Sequence, residues 1–154
     1  MGDSILFHIL ATNQNWAPTL ARVILGIIFF AHGSQKVFGW FGGPGLRQTL
    51  RGLKEHVGLP PILALAAVGA ELLGGAALIL GFLARLSALG IAVNMLAAIV
   101  MVHGRYGLFM NWFGDRKGHG IEYHLLAMAL TVVIIVEGAG AFSVDGLLSS
   151  WISG

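Results

Sequence analysis

The stretch "GFLARLS", Gly81–Ser87, lies at the junction of two long apolar segments in the middle of this chain. One segment covers residues 60–82 and the other covers residues 83–103. Each is close to the ~20 residues with which an α-helix crosses the apolar core of a bilayer. Because so tight a connection leaves no room for another element, the sequence predicts an antiparallel helical hairpin across a membrane.

Two further apolar segments, about residues 17–38 and 121–142, have a similar length and character. Many of the 23 glycines fall inside the four segments, and small residues allow membrane helices to approach one another closely. We therefore predict an all-α fold, a polytopic membrane protein whose four transmembrane helices form an antiparallel bundle. A chain of 154 residues is expected to form a single domain, residues 1–154.

The composition supports a membrane protein and excludes other classes. Hydrophobic residues make up 56% of the chain and charged residues only 10%, whereas a soluble domain carries roughly 25% charged residues. The net charge is +2 and the basic residues are scattered, which argues against nucleic-acid binding. The chain has no cysteine, so disulfides, thiolate metal sites and thiol redox chemistry are excluded.

Two connections are long enough to have structure of their own. In "GLRQTLRGLKEHVG", residues 45–58, apolar residues recur at helical spacing beside a basic stripe. This pattern favours a short helix that lies in the headgroup region. The connection at residues 105–120 is rich in aromatic residues and glycine, and we predict a short interfacial helix there too.

The basic residues are distributed unevenly between the two ends of the predicted bundle. The opposite end from the long loops carries Arg22 and Arg85. By the positive-inside rule, both long loops are expected in the cytoplasm and both termini outside. The basic residues of the two long loops are Arg47, Arg51, Lys54, Arg105, Arg116 and Lys117.

Polar side chains within the predicted spans fall into three groups by depth. An ionisable residue there costs about 2.5–3.5 kcal/mol on insertion, so it tends to mark function or paired structure. Glu71 and Asn94 fall near mid-membrane, while Arg22, Arg85 and Glu137 lie toward the outer end and are predicted to form a structural ion cluster. The group at the loop-rich end consists of His32, Lys36, His103, Glu122 and, as a weaker candidate, His124.

The first two helices bring together residue types that suit a quinone site. Such a site needs a flat apolar slot, a donor to each carbonyl and a titratable relay. The predicted catalytic residues are His32 and Lys36 as donors and Glu71 as the group that exchanges protons. Because no cysteine or GxGxxG motif is present, electrons must come from an external carrier or a partner subunit. The predicted ligand-binding residues are His103, Glu122 and Asn94.

The same residues leave other interpretations open. His32, His103, Glu71 and Glu122 are acceptable ligands for iron, zinc or manganese, but no local HxxxH or ExxH motif joins them, so a metal is less expected than a quinone. The polar residues of a non-catalytic anchor or assembly subunit would only lock its helices together. A small permease would need a continuous polar path, which the largely apolar centre disfavours.

Three stretches of the chain resemble the DoxX family of small bacterial four-helix membrane proteins. They are "LARVILGIIFFAHGSQKVFG", "GAELLGGAALILGFLARLSALGIAVNM" and "EGAGAFSVDGLL", and the likeness covers about residues 20–148. The loop at residues 105–120 is longer and more aromatic than is typical. The positions that carry the resemblance are Arg22, His32, Gly33, Lys36, Gly39, Glu71, Gly74, Gly75, Gly81, Arg85, Glu122, Ser143 and Asp145.

The resemblance implies a location in the bacterial cytoplasmic (inner) membrane and a link to redox chemistry. The family is named for a membrane subunit of a thiosulfate:quinone oxidoreductase, and other members are linked to thiol-redox complexes as membrane partners. The expected function is that of a redox-complex membrane subunit that binds a quinone or similar small ligand near the cytoplasmic side. Its expected partners are the lipid bilayer and either a soluble or membrane redox protein or further copies of itself.

Overall fold

The computed structural model describes residues 5–153, and this part of the chain is helical without any β-strand. The all-α prediction is therefore confirmed. Short turns of π- and 3-10 helix extend some of the α-helices. The α-helices of the described residues are α1 (Ile5–Leu10), α2 (Trp16–Phe38), α3 (Gly45–Gly52), α4 (Pro61–Leu80), α5 (Ala84–Ala98), α6 (Glu122–Glu137) and α7 (Val144–Ser153).

Among residues 5–153, three helices are long and apolar enough to cross a membrane: Trp16–Phe38, Pro61–Leu80 and Ala84–Tyr106. The last of these is α5 with its π- and 3-10 extensions. The fourth predicted segment forms α6, which has 16 residues and is not among these candidate spans. At 1.5 Å per residue it is about 24 Å long, short of the ~30 Å hydrocarbon core. α6 ends early because Gly138, with a φ of +86°, turns the chain out of the helix.

Glycines bring α2 and α4 into backbone contact. A Cβ atom on Gly33 would lie 2.5 Å from the Cα atom of Leu72, and a Cβ atom on Gly26 would lie 2.8 Å from the carbonyl oxygen of Gly75. Since real Cβ atoms never approach so closely, only glycine permits this spacing. The close approach sets the distance between polar side chains that face each other from the two helices.

Among the described residues, the buried apolar side chains come mainly from α2, α4, α5 and α6. α4 packs against both α2 and α5, and α6 packs against α5 and returns to α2. Apolar side chains also cover the outward faces of these helices, including Leu126, Val132 and Val136 of α6, which are 65%, 57% and 64% exposed. The largest buried apolar side chains of the core are Leu25, Phe29, Leu78, Ile91 and Ile134.

The two long connections differ from each other. The first contains α3, which continues as a π-helical turn at Leu53–Val57, so the predicted helix forms there. The prediction of a helix in the second connection is wrong. Residues 107–121 contain no helix, and only a 3-10 turn at Gly104–Tyr106 precedes them. Gly107 and Gly114 have φ values of +83° and +70°, which an α-helix does not allow.

Candidate functional site

A partly buried ion pair joins α2 to α4. Lys36 lies in the last turn of α2, just before Gly39 ends the helix in the left-handed conformation. Its Nζ atom is 2.6 Å from Oε1 and 2.5 Å from Oε2 of Glu71, half-way along α4. The Glu71 side chain is 6% exposed and that of Lys36 is 35% exposed. This is the one ion pair that the structure shows within residues 5–153.

A third helix contributes to the same carboxylate. Asn94 of α5 donates from Nδ2 to Oε1 of Glu71 at 3.1 Å, and the same nitrogen lies 3.4 Å from the carbonyl oxygen of Ala67. A buried carboxylate requires such compensation, because burying an unpaired charge is very costly. Three residues that the sequence predicted for the site, Lys36, Glu71 and Asn94, are therefore brought together.

Aromatic rings line the space between α2 and α6. The ring of Tyr123 stacks on Phe29 and on His32, with centroid distances of 6.3 and 6.0 Å and interplanar angles of 27° and 26°. The Tyr123 hydroxyl is buried without a hydrogen-bond partner among the described residues, and it lies within electrostatic range of Glu71. Phe29 is fully buried and His32 is exposed. A flat stack thus runs from the core toward the protein surface.

The hydrogen bond of His32 defines what its free nitrogen can do. Nδ1 lies 2.9 Å from the carbonyl oxygen of Ile28, so we assign the proton to Nδ1, since a carbonyl can only accept. Nε2 of the neutral ring is then an acceptor, and it becomes a donor only when the ring is protonated. The exposed edge of His32 accordingly presents a hydrogen-bond acceptor.

A second pair of rings joins α6 to the π-helical extension of α5, which in turn contacts the aromatic loop. His103 and His124 lie 4.3 Å apart between ring centroids, and Nδ1 of His103 lies 2.9 Å from the carbonyl oxygen of His119. Glu122 accepts the backbone N–H of Met110 at 3.1 Å. Glu122 and His103 are thus engaged with the loop instead of with Glu71.

Sequence reasoning missed the first turn of α6. With Glu122 bonded to the loop, the next two residues, Tyr123 and His124, turn toward the other helices, and His124 is only 6% exposed. His124, the weaker candidate from the sequence, is therefore one of the residues that face the other helices. Among the described residues, no group of three or more histidine, aspartate or glutamate side chains is arranged to hold a metal ion.

Arg22 occupies the opposite end of the helices and binds backbone carbonyls. Its side chain is 2% exposed, with all three guanidinium nitrogens donating over distances of 2.6–3.1 Å. Two of the acceptors belong to the last turn of α4, where helix carbonyls lack intrahelical partners, and three belong to the irregular chain after α6. The acceptors are the carbonyl oxygens of Leu78, Ile79, Ala139, Ala141 and Phe142.

The outer ion cluster predicted from the sequence is not formed within residues 5–153. Arg85 donates to the carbonyl oxygens of Ile135, Val136 and Ala11. Glu137 instead accepts a hydrogen bond of 2.9 Å from the side chain of Asn13. Both Arg22 and Arg85 therefore hold helix ends through carbonyls. The sequence pattern could not reveal these acceptors, because they are main-chain atoms.

Asp145 closes the α4–α5 hairpin from α7. Its two carboxylate oxygens accept the backbone N–H groups of Leu83 and Ala84 at 2.7 and 2.8 Å, and its own N–H donates to the carbonyl oxygen of Gly81 at 2.9 Å. Burial raises the pKa of Asp145, and the two N–H groups and the charges of the nearby arginines oppose that rise. The turn between α4 and α5 is therefore held in place by a residue that lies about 60 positions later in the chain.

Comparison with known proteins identifies the family of the chain. The sequence model of the family DoxX matches residues 17–104, which contain α2 from its second residue and the whole of α3, α4 and α5. The chain belongs to the DoxX family. It is 29% identical over 130 residues to "Inner membrane protein YqjF" of Escherichia coli, a match that covers 84% of this chain and 90% of that protein. No solved structure matches it significantly.

A second relative has a name that mentions a reaction class. The chain is 35% identical over 83 residues to "Putative oxidoreductase CatD" of Bacillus subtilis. This match covers 54% of the chain and 57% of the relative. The chain is therefore a membrane protein of the DoxX family with a relative named as an oxidoreductase.

Proposed function

We propose that this protein is the membrane subunit of a redox complex and binds a quinone or similar small ligand at the loop-rich end of its helices. The observation that carries the proposal is the partly buried Lys36–Glu71 ion pair beside the stacked rings of Phe29, His32 and Tyr123. Flat rings supply a stacking surface for a quinone. The exposed side of His32 leaves an entrance from the lipid.

The polar groups at this position match the needs of quinone chemistry. Reduction of a quinone to a quinol takes up two electrons and two protons, and the reverse reaction releases them. The buried Tyr123 hydroxyl has no hydrogen-bond partner among the described residues, and we assign it as the donor to a quinone carbonyl. Nε2 of His32 exchanges a proton with the ligand. The Lys36–Glu71 pair holds a further exchangeable proton. The electrons are supplied or accepted by a partner protein.

The membrane arrangement belongs to the same proposal. We infer that α6 is the fourth span of a four-helix bundle, supported by its lipid-like outward face of exposed Leu126, Val132 and Val136. The short irregular chain after Gly138 completes the crossing. The basic residues of the two long loops favour a cytoplasmic location for those loops and an external location for both termini. The name of the Escherichia coli relative favours the inner membrane.

A non-catalytic anchor or assembly subunit is the second candidate. It is favoured by one specific observation, since Lys36, Glu71 and Asn94 satisfy one another without a ligand. In that case the ion pair holds α2, α4 and α5 in register, and the redox chemistry belongs to the partner.

Native mass spectrometry of the protein, extracted gently from its own membranes, separates the two candidates. We expect an adduct with the mass of the membrane's quinone, and a smaller fraction of that adduct in His32→Gln and Glu71→Gln variants. Asp115→Asn is the matched control, because Asp115 is an exposed carboxylate of the second long loop and lies outside the proposed site. A ligand-free chain that carries another subunit would favour the anchoring role. Equal adduct fractions in all variants would exclude the proposed site.

A further inference from the structure

The first long connection forms an open basic cleft beside the end of α2. The cleft has a volume of about 1080 Å³ and is lined by Gln35 and Lys36 of α2 and by residues of α3 and the turn after it. The quinone proposal uses Lys36 through its pairing with Glu71, but it does not use the rest of the cleft. The other polar side chains of the lining include Arg47, Gln48, Arg51, Glu55 and His56.

Two arginines of the cleft are available for a ligand. Arg47 and Arg51 lie one turn apart on α3, and both are exposed. Neither guanidinium group makes a hydrogen bond or ion pair with any of residues 5–153. Glu55 is the acidic residue of the lining, and it forms no ion pair with either arginine in the described structure. The cleft therefore has an excess of unpaired positive charge from forked donors, which match the oxygens of a phosphate group.

The cleft lies at the depth of the lipid headgroups. α2 ends at Phe38, and the exposed rings of Phe38, Trp40 and Phe41 follow at this level, with exposures of 54%, 51% and 72%. Exposed aromatic rings at the end of a membrane helix mark the interface between lipid and water. Leu53 and Val57 add apolar surface to the lining, which suits the glycerol and first acyl carbons of a lipid.

We propose that this cleft binds the phosphate group of an anionic phospholipid, with Arg47 and Arg51 as the ligands of the phosphate. Gln35 and Gln48 add amide donors to the same cleft. The arginines lie on α3 and take no part in the Lys36–Glu71 pair, so this inference stands independently of the quinone proposal. Inorganic phosphate presents the same chemistry and is the alternative occupant to be distinguished.

The experiment compares lipid retention by native mass spectrometry after titration with phosphatidylglycerol or with zwitterionic phosphatidylcholine. We expect the protein to retain one phosphatidylglycerol molecule in preference to phosphatidylcholine. In the Arg47→Gln/Arg51→Gln double variant, this preference should fall on the order of tenfold. Lys54→Gln is the matched control, since Lys54 is an exposed cation on the same segment that does not line the cleft. Its lipid preference should stay close to that of the wild type.

Two results would overturn the inference. An equal loss of preference in Lys54→Gln would show general attraction of anionic lipid to a basic loop. Binding of inorganic phosphate without any preference for phosphatidylglycerol would assign the cleft to a soluble ligand. Thermal unfolding of each variant, measured in the same detergent, verifies that the double variant is folded when its lipid preference is compared.

Discussion

At the scale of single residues, the two partners of the Lys36–Glu71 pair are buried to different degrees. In a Glu71→Gln variant the Lys36 ammonium can turn to the cleft, because its side chain is already 35% exposed. In a Lys36→Met variant the carboxylate of Glu71, 6% exposed, keeps only its bond from Asn94. Breaking a buried pair in this way costs about 3–5 kcal/mol.

We therefore expect Lys36→Met to lower the melting temperature in detergent more than Glu71→Gln does. The physical reason is that the Glu71 carboxylate loses its cationic partner, so it must either remain charged in the core or take up a proton. Lys54→Met, a change at an exposed lysine, serves as the control and should leave the melting temperature nearly unchanged. If Glu71→Gln proved the more damaging of the two, the unequal burial of the pair would not govern its energetics.

Arg22 provides a second test at this scale. Its forked guanidinium binds five carbonyl groups, which a single ammonium cannot replace. Arg22→Lys should lower stability by about 2 kcal/mol or more, since each buried carbonyl left without a donor costs about 1–3 kcal/mol. The melting temperature measures this, with Arg105→Lys at an exposed position as the control. A melting temperature for Arg22→Lys within error of wild type would contradict this stabilising role of the Arg22 hydrogen bonds.

At the scale of elements, the contact between α2 and α4 depends on the absence of side chains. Gly33→Ala would place a Cβ atom against the backbone of Leu72, and overpacking of this kind typically costs about 1–3 kcal/mol. Gly69→Ala on α4 is the matched control, because nothing lies within 4 Å of its Cβ position. Thermal unfolding should show a loss for Gly33→Ala and little change or a gain for Gly69→Ala. Equal melting temperatures would mean that the two helices can separate freely.

The hairpin between α4 and α5 depends on a single carboxylate. Asp145→Ala would leave the N–H groups of Leu83 and Ala84 without their acceptors, which costs about 1–3 kcal/mol. Asp145→Asn keeps one acceptor oxygen and should lose less. Hydrogen exchange at the two amides, read by mass spectrometry of peptides from this turn, should rise in the order wild type, asparagine, alanine. Unchanged exchange in the alanine variant would exclude this role for Asp145.

The sequence predicted the long helices more fully than it predicted the contacts within the candidate site. Apolar length predicted the three long helices, because a span needs continuous hydrophobicity. It did not predict the early end of α6, which depends on the backbone conformation of Gly138. The pairing of Lys36 with Glu71 was accessible from helical position, but Tyr123 was not. Its orientation follows from the bond of Glu122 to the loop, a tertiary contact that no periodicity contains.

At the scale of the whole molecule, the topology has a direct test. Because the natural chain has no cysteine, single cysteines can be introduced without background. Phe113 in the second long loop and Trp151 in α7 are 92% and 88% exposed, so either position can accept a reactive label. If α6 crosses the membrane, Trp151→Cys should react with an impermeant maleimide in intact cells, and Phe113→Cys only after permeabilisation. Labelling of both from the same side would show that α6 does not cross.

The hydrogen bonds of Arg22 to backbone carbonyls have a consequence for how the protein is synthesised. Three of its five carbonyl partners come from Ala139, Ala141 and Phe142, and the residues that meet are separated by at least 117 positions. While the ribosome is still adding the later residues, α2 therefore lies in the membrane without these three carbonyl acceptors for the guanidinium of Arg22. A chain that ends before these residues leaves the guanidinium of Arg22 with the carbonyl oxygens of Leu78 and Ile79 as its acceptors.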